Sequence, residues 1–165
     1  MTRSRVRRML RLTQAGHLHG LVGDLYEAIT RLPDRLAALP PEQRPRGPLG
    51  AGSPARRHLP AVPFTTPATV AAVVLGWREP ADRPALLTTL VCSATATALT
   101  AHLVRTVNLP LLLGDRPVPS PGERKAILRR WHALNHVRNI ALTGAVLAAH
   151  AVIHRQDPWS SLPPR

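Results

Sequence analysis

The sequence predicts an all-α protein: a four-helix integral membrane bundle joined by Pro- and Gly-rich loops. Three observations carry that expectation. Residues 84–104 form a 21-residue run without Asp, Glu, Lys or Arg, long enough to cross a hydrocarbon core. Residues 134–153 form a second stretch of spanning length, though it holds Arg138 and His150. Pro and Gly cluster between the apolar stretches, at 40–63 and 110–122, and punctuate them as loops.

The first helix is expected over residues 11–39, with Pro33 breaking or kinking its last turns. A basic arm, residues 1–10, precedes it. A Pro/Gly/Arg loop occupies 40–63. The second helix is placed at 67–77, with Pro67 in its first turn. A polar turn, 78–83, is short enough to make the second and third helices antiparallel neighbours. The third helix spans 84–108 and a loop covers 110–122. The fourth helix covers 123–154, and its opening turns to Trp131 are charged and amphipathic. A Pro-rich tail starts at 157. One helical domain, 11–156, therefore lies between arm and tail. Only the third helix passes a strict hydropathy test, so a soluble four-helix bundle is the competing architecture.

Composition narrows the partners. The formal charge is +13, and all but one of the 22 basic residues are Arg. Five of them, Arg3, Arg5, Arg7, Arg8 and Arg11, crowd the N-terminus. With one Phe, one Tyr and three Trp, the chain has few platforms for stacking bases. It carries no nucleic-acid motif, and a lipid bilayer accounts for the charge better. The single Cys92 excludes an internal disulfide. No compact apolar region with a cleavage site follows the N-terminal arginines.

In a four-span topology, nine Lys or Arg flank the end holding the termini and twelve the other. The count alone is ambiguous, and the dense N-terminal block favours cytoplasmic termini at a cell membrane.

Two helix faces carry candidate chemistry. Gly16, Gly20 and Gly23 share an arc with Glu27, and Gly16–Gly20 has the spacing that allows close helix approach. The third or fourth helix is the expected partner of that seam. Glu27 is either a buried carboxylate for proton transfer or the ion-pair partner of an Arg on another helix. On the fourth helix, Trp131, Asn135, Arg138 and Asn139 share a face. Such a set suits a planar oxygenated ligand, and equally an interfacial anchor with a snorkelling Arg. Arg138 is expected to meet Glu27 and Asn108. The pairs His132/His136 and His150/His154 have metal-ligand spacing, and His102 with His150 could span a haem. Neither pair has a carboxylate beside it, and the expectation is no metal and no cofactor.

Three short motifs add a resemblance. Gly23-Asp-Leu-Tyr-Glu-Ala-Ile29 followed by Pro33, Val107-Asn-Leu-Pro110, and Arg130-Trp-His-Ala-Leu-Asn-His-Val-Arg138 resemble, in order and spacing, the signatures of the DUF1772 family. That family includes anthrone oxygenase-like proteins. The resemblance extends from about Gly16 to His150. It implies four membrane helices and, for some members, cofactor-independent oxidation of a polycyclic phenolic substrate. Carried over by position, Asn108, Trp131, Asn135 and Arg138 are the implied site, and Tyr26 and Glu27 match the first-helix motif. In that scheme Glu27 is the base, Arg138 and Asn108 stabilise an oxyanion, and Trp131 with Tyr26 contacts the substrate. The alternative is a non-catalytic membrane protein whose polar residues hold its helices together. Asp24 departs from the family pattern and adds a charge to the first helix.

Overall fold

The computed structural model describes residues 2–45, 47, 50, 52, 53, 56, 61–112 and 119–156. Among them the protein is all-helical, with no strand. Five α-helices follow in order: α1 (Thr2–Ile29), α2 (Leu32–Ala38), α3 (Val62–Gly76), α4 (Arg83–Leu103) and α5 (Pro121–Arg155). Short 3-10 turns lie at Pro41–Gln43 and Pro80–Asp82, and a π-helical segment, Val104–Leu112, continues α4.

Helix α1 starts at Thr2, nine residues earlier than the sequence suggests. Within the Arg-rich block, Val6, Leu10 and Thr13 recur at helical spacing and are buried. Val6 and Leu10 pack on Ala72, Leu86, Ala149 and Val152, so apolar burial extends the helix through the basic stretch. At the other end α1 stops at Ile29. Arg31 adopts the left-handed conformation, φ 48° and ψ 42°. Pro33 then falls in the first turn of α2, where its missing N–H leaves no intrahelical bond unmade.

Helix α3 begins five residues before the expected start, with Pro63 in its first turn and Pro67 inside it. The Thr65 N–H and hydroxyl both donate to Ala61 O, at 3.0 and 2.7 Å, and fix the turn that leads into Pro67. Helical structure also continues past Leu103 beyond the expected end. There the backbone takes the wider π turn over Val104–Leu112. Helix α5 opens with a capping box. Glu123 N–H donates to Ser120 Oγ at 3.4 Å, and Ser120 N–H donates to Glu123 Oε2 at 2.9 Å. The Ser120 hydroxyl, then its N–H, hold the Glu123 carboxyl below its ordinary value.

The long helices alternate in direction. At the end holding both termini, early α1 (Val6, Leu10) meets late α3 (Ala72), early α4 (Leu86) and late α5 (Ala149, Val152). At the other end, Leu36 and Ala37 of α2 close over Leu103, Val107 and Trp131. The most extensive interfaces join α4 to α5 and α1 to both α3 and α5. As the short turn suggested, α3 and α4 also touch, over a smaller interface. Asp82, in the turn before α4, accepts from Arg155 Nε at 3.0 Å and Gln156 Nε2 at 2.7 Å, tying down the end of α5.

The glycine seam of α1 faces helices in a different way from the expectation. A Cβ on Gly16 would lie 1.9 Å from Thr65 Oγ1, so the tight partner is α3. Gly20 faces α5 more loosely, with Leu142 Cδ1 3.8 Å from such a Cβ.

Along the apolar stretches of the long helices, charged residues lie inside and many apolar ones outside. Over residues 12–29, 62–77, 84–104 and 131–153, the only Asp, Glu, Lys or Arg residues are Asp24, Glu27 and Arg138. All three are buried, whereas Leu18, Val22, Ile29, Val74, Val91, Ile140 and Leu147 point outward. At 1.5 Å per residue these stretches span about 24–35 Å. Hydroxyls are satisfied within their own helices: Thr88, Thr89, Ser93, Thr97 and Thr100 each donate to the carbonyl four residues back. Residues 80–109 and 121–155 are long and apolar enough to cross a membrane, and α3 is a shorter apolar helix.

Candidate functional site

The four long helices line a cavity of about 300 Å³ that opens to the outside past the exposed Thr66 and Thr97. Its lining includes Gly16, His17, Gly20 and Asp24 from α1, Thr65 and Thr66 from α3, Ala96, Thr97 and Thr100 from α4, and Arg138 and Leu142 from α5. The length of α3 bears on its position. Thr13 accepts from Thr69 at 3.3 Å and Gly16 meets Thr65, which fixes the antiparallel register. Asp24 lies two turns beyond Gly16 along α1, about 12 Å. Ala61, just before α3, is only about 6 Å beyond Thr65, so the helix ends short of the Asp24 level.

An ion-pair network forms one wall. Arg138 Nη2 donates to Asp24 Oδ1 and, at 2.7 Å, to Asn135 Oδ1. Arg138 Nη1 approaches Thr100 Oγ1 at 3.5 Å. Asp24 is 2% exposed, Arg138 6% and Asn135 1%. The Arg138 Nε–H is buried and has no hydrogen-bond partner. A buried donor of this kind is uncommon.

Across the cavity, His17 meets Ser93. Ser93 Oγ lies 2.7 Å from His17 Nε2 and 2.6 Å from Thr89 O. Ser93 has one hydroxyl hydrogen, and each short contact needs a hydrogen between its atoms. Both are met when Ser93 donates to the Thr89 carbonyl and His17 Nε2–H donates to Ser93. In the neutral ring the lone pair then resides on Nδ1.

The residues expected from the sequence are distributed unevenly about this cavity. Arg138 lines it, and Asn135 holds the guanidinium from behind. The acid bound to Arg138 is Asp24, not Glu27: aspartate's helix position, three residues before Glu27, brings it onto the arginine fork. Glu27 is buried, outside the described cavity lining. Trp131 is 2% exposed, packed in the cluster with Leu36, Ala37, Leu103 and Val107, and edge-on to His132 at 5.1 Å. Tyr26 is half-exposed on the outer face of α1, beside His19, Val22 and Gly23. Asn108 sits in the π-helical segment. Its Oδ1 is buried without a partner, and it makes no hydrogen bond with Arg138.

Asp24, His17 and Thr100 were missed. Asp24 was legible only as an unexplained charge in an apolar helix, which is itself a functional signal. His17 lies about 60° beyond the glycine arc on a helical wheel, so that reasoning passed it over.

The histidine pairs have other partners. His132 Nε2 contacts Asp34 at 2.9 Å, and His102 meets Arg130 at 3.2 Å. His150 stacks on His154 with ring centroids 6.2 Å apart. Among the described residues no group of three or more His, Cys, Asp or Glu side chains converges.

No family model, curated protein or solved structure matches the chain.

Proposed function

We propose that the protein is a multi-pass membrane protein whose four long helices line a binding site for a small phenolic or enolic molecule. We further propose that it oxidises this molecule without a cofactor. The membrane part is supported by the placement of charge: three charges inside and an uncharged apolar surface outside, matching a hydrocarbon core of about 30 Å. In water, an apolar surface of that extent would drive association. The Arg block before Leu12 favours cytoplasmic termini. Alkaline carbonate and high salt are expected to leave the protein in the membrane pellet. Recovery in the supernatant contradicts the four-span reading.

The Arg138 guanidinium, one wall of the cavity, carries the ligand part. It offers a buried, preorganised donor to a phenolate or enolate oxygen. Asp24 and Asn135 fix the guanidinium plane. His17, oriented through Nε2 by Ser93, is the lining residue suited to accept a proton. In the proposed reaction a C–H of a CH2 group flanked by aromatic rings is deprotonated, and the carbanion reduces O2. The resulting hydroperoxide loses water, so that CH2 and O2 become C=O and H2O. The resemblance to anthrone oxygenase-like proteins points to the same chemistry.

The test is oxygen uptake by membranes containing the protein, with an anthrone-type substrate. Consumption of one O2 per substrate is expected, with Arg138→Lys retaining the fold but losing turnover, because a point charge does not replace the planar fork. Absence of uptake would favour the second reading, a non-catalytic membrane protein. That reading has its own support in the Asp24–Arg138–Asn135 network, which joins α1 to α5 irrespective of any ligand.

A further inference from the structure

The basic opening turns of α5 are not used by the Arg138 site. Together with α2 they form a separate groove of about 590 Å³, lined by Asp34, Pro121, Arg124, Lys125, Leu128, Arg129 and His132. Three fixed cations, Arg124, Lys125 and Arg129, lie within two turns of one helix. Among the described lining residues the one carboxylate, Asp34, is occupied by His132 at 2.9 Å. Arg124 Nη1 donates to Ala37 O at 3.3 Å, while its buried Nε has no partner. Lys125 and Arg129 are exposed.

Position decides what such a groove meets. On α5 the uncharged outer surface begins after Arg130, so residues 124–129 lie about 3–10 Å beyond it along the helix. The headgroup layer on each side of a bilayer is about 5–8 Å thick. The cations therefore coincide with lipid phosphates in depth. Leu128 and Pro121 add apolar surface beside them, which suits the glycerol and upper acyl region of a lipid better than a free ion. We infer that the α2–α5 groove is a headgroup site for an anionic phospholipid, at the end of the protein opposite its termini. This inference rests on the membrane reading above and is independent of the proposed oxidation.

Native mass spectrometry of the detergent-solubilised protein tests it, with phosphatidylglycerol, phosphatidylcholine and inorganic phosphate as probes. Carbonate extraction, done first, separates failure of the membrane reading from failure of this site. One retained phosphatidylglycerol is expected, in preference to phosphatidylcholine and not displaced by millimolar phosphate. Lys125→Gln with Arg129→Gln, both surface changes, should weaken retention roughly 30-fold, at about a factor of five per basic side chain. Arg5→Gln with Arg8→Gln, at the other end, should leave it intact. Equal retention of both lipids, displacement by phosphate, or loss with the Arg5/Arg8 variant instead would overturn the assignment. Unchanged thermal unfolding of the Lys125/Arg129 variant confirms that lost retention reflects the groove.

Discussion

Arg138→Gln is expected to destabilise the protein by about 3–5 kcal/mol, the cost of leaving one member of a buried ion pair without its partner. The partner is Asp24, 2% exposed, whose Oδ1 accepts from the guanidinium. Thermal unfolding in detergent reads the effect. The double variant Asp24→Asn with Arg138→Gln removes both charges and should recover much of the loss, since neutral amides of similar shape need no counter-ion. Glu27→Gln combined with Arg138→Gln should recover none of the loss. Recovery by that pair, and not by the Asp24 pair, would make Glu27 the arginine's partner.

The second large effect is steric. Gly16→Leu should cost more than the roughly 1–3 kcal/mol typical of an overpacked core. The Cβ alone would lie 1.9 Å from Thr65 Oγ1, 2.9 Å from its Cβ and 3.0 Å from its Cγ2. Rotating Thr65 moves Oγ1 and Cγ2 at the expense of the bond to Ala61 O but leaves its Cβ at 2.9 Å, so α1 and α3 must separate. Gly20→Ala, four residues on, meets only Leu142 at 3.8 Å and should be within a few tenths of a kcal/mol of the parent or slightly more stable, through better helix propensity. Melting both variants side by side distinguishes a tight seam at Gly16 from one running the length of the arc.

These two cases show what could be read from the chain. The order of the four long helices followed from apolar runs and Pro/Gly breaks, because those are local properties; the separate α2, which makes five, did not. Helix ends were displaced where long-range packing overruled local composition. Val6 and Leu10 extend α1 through an Arg-rich stretch because Ala72 and Leu86 cover them. Pro67 lies inside α3 because the helix is nucleated earlier, at Ala61 and Thr65. At the site, Arg138 and Asn135 were legible from one face of one helix. The identity of the acid was not, because it depends on the rotation of α1 against α5. Trp131 shared the face of Arg138 on a helical wheel, yet α2 folds over it, and the position of α2 follows from the turn at Arg31 rather than from any periodicity.

That the outer face of the long helices meets lipid is the claim on which the rest depends, and nitroxide accessibility tests it directly. Single cysteines at Ile140 and Leu147, in a Cys92→Ala background, place spin labels on the outer face of α5, where Ile140 is 73% exposed. In reconstituted vesicles, both labels should collide readily with oxygen and scarcely with a water-soluble nickel chelate. Ready collision of both labels with the nickel chelate would place that face in water and contradict a membrane-spanning α5.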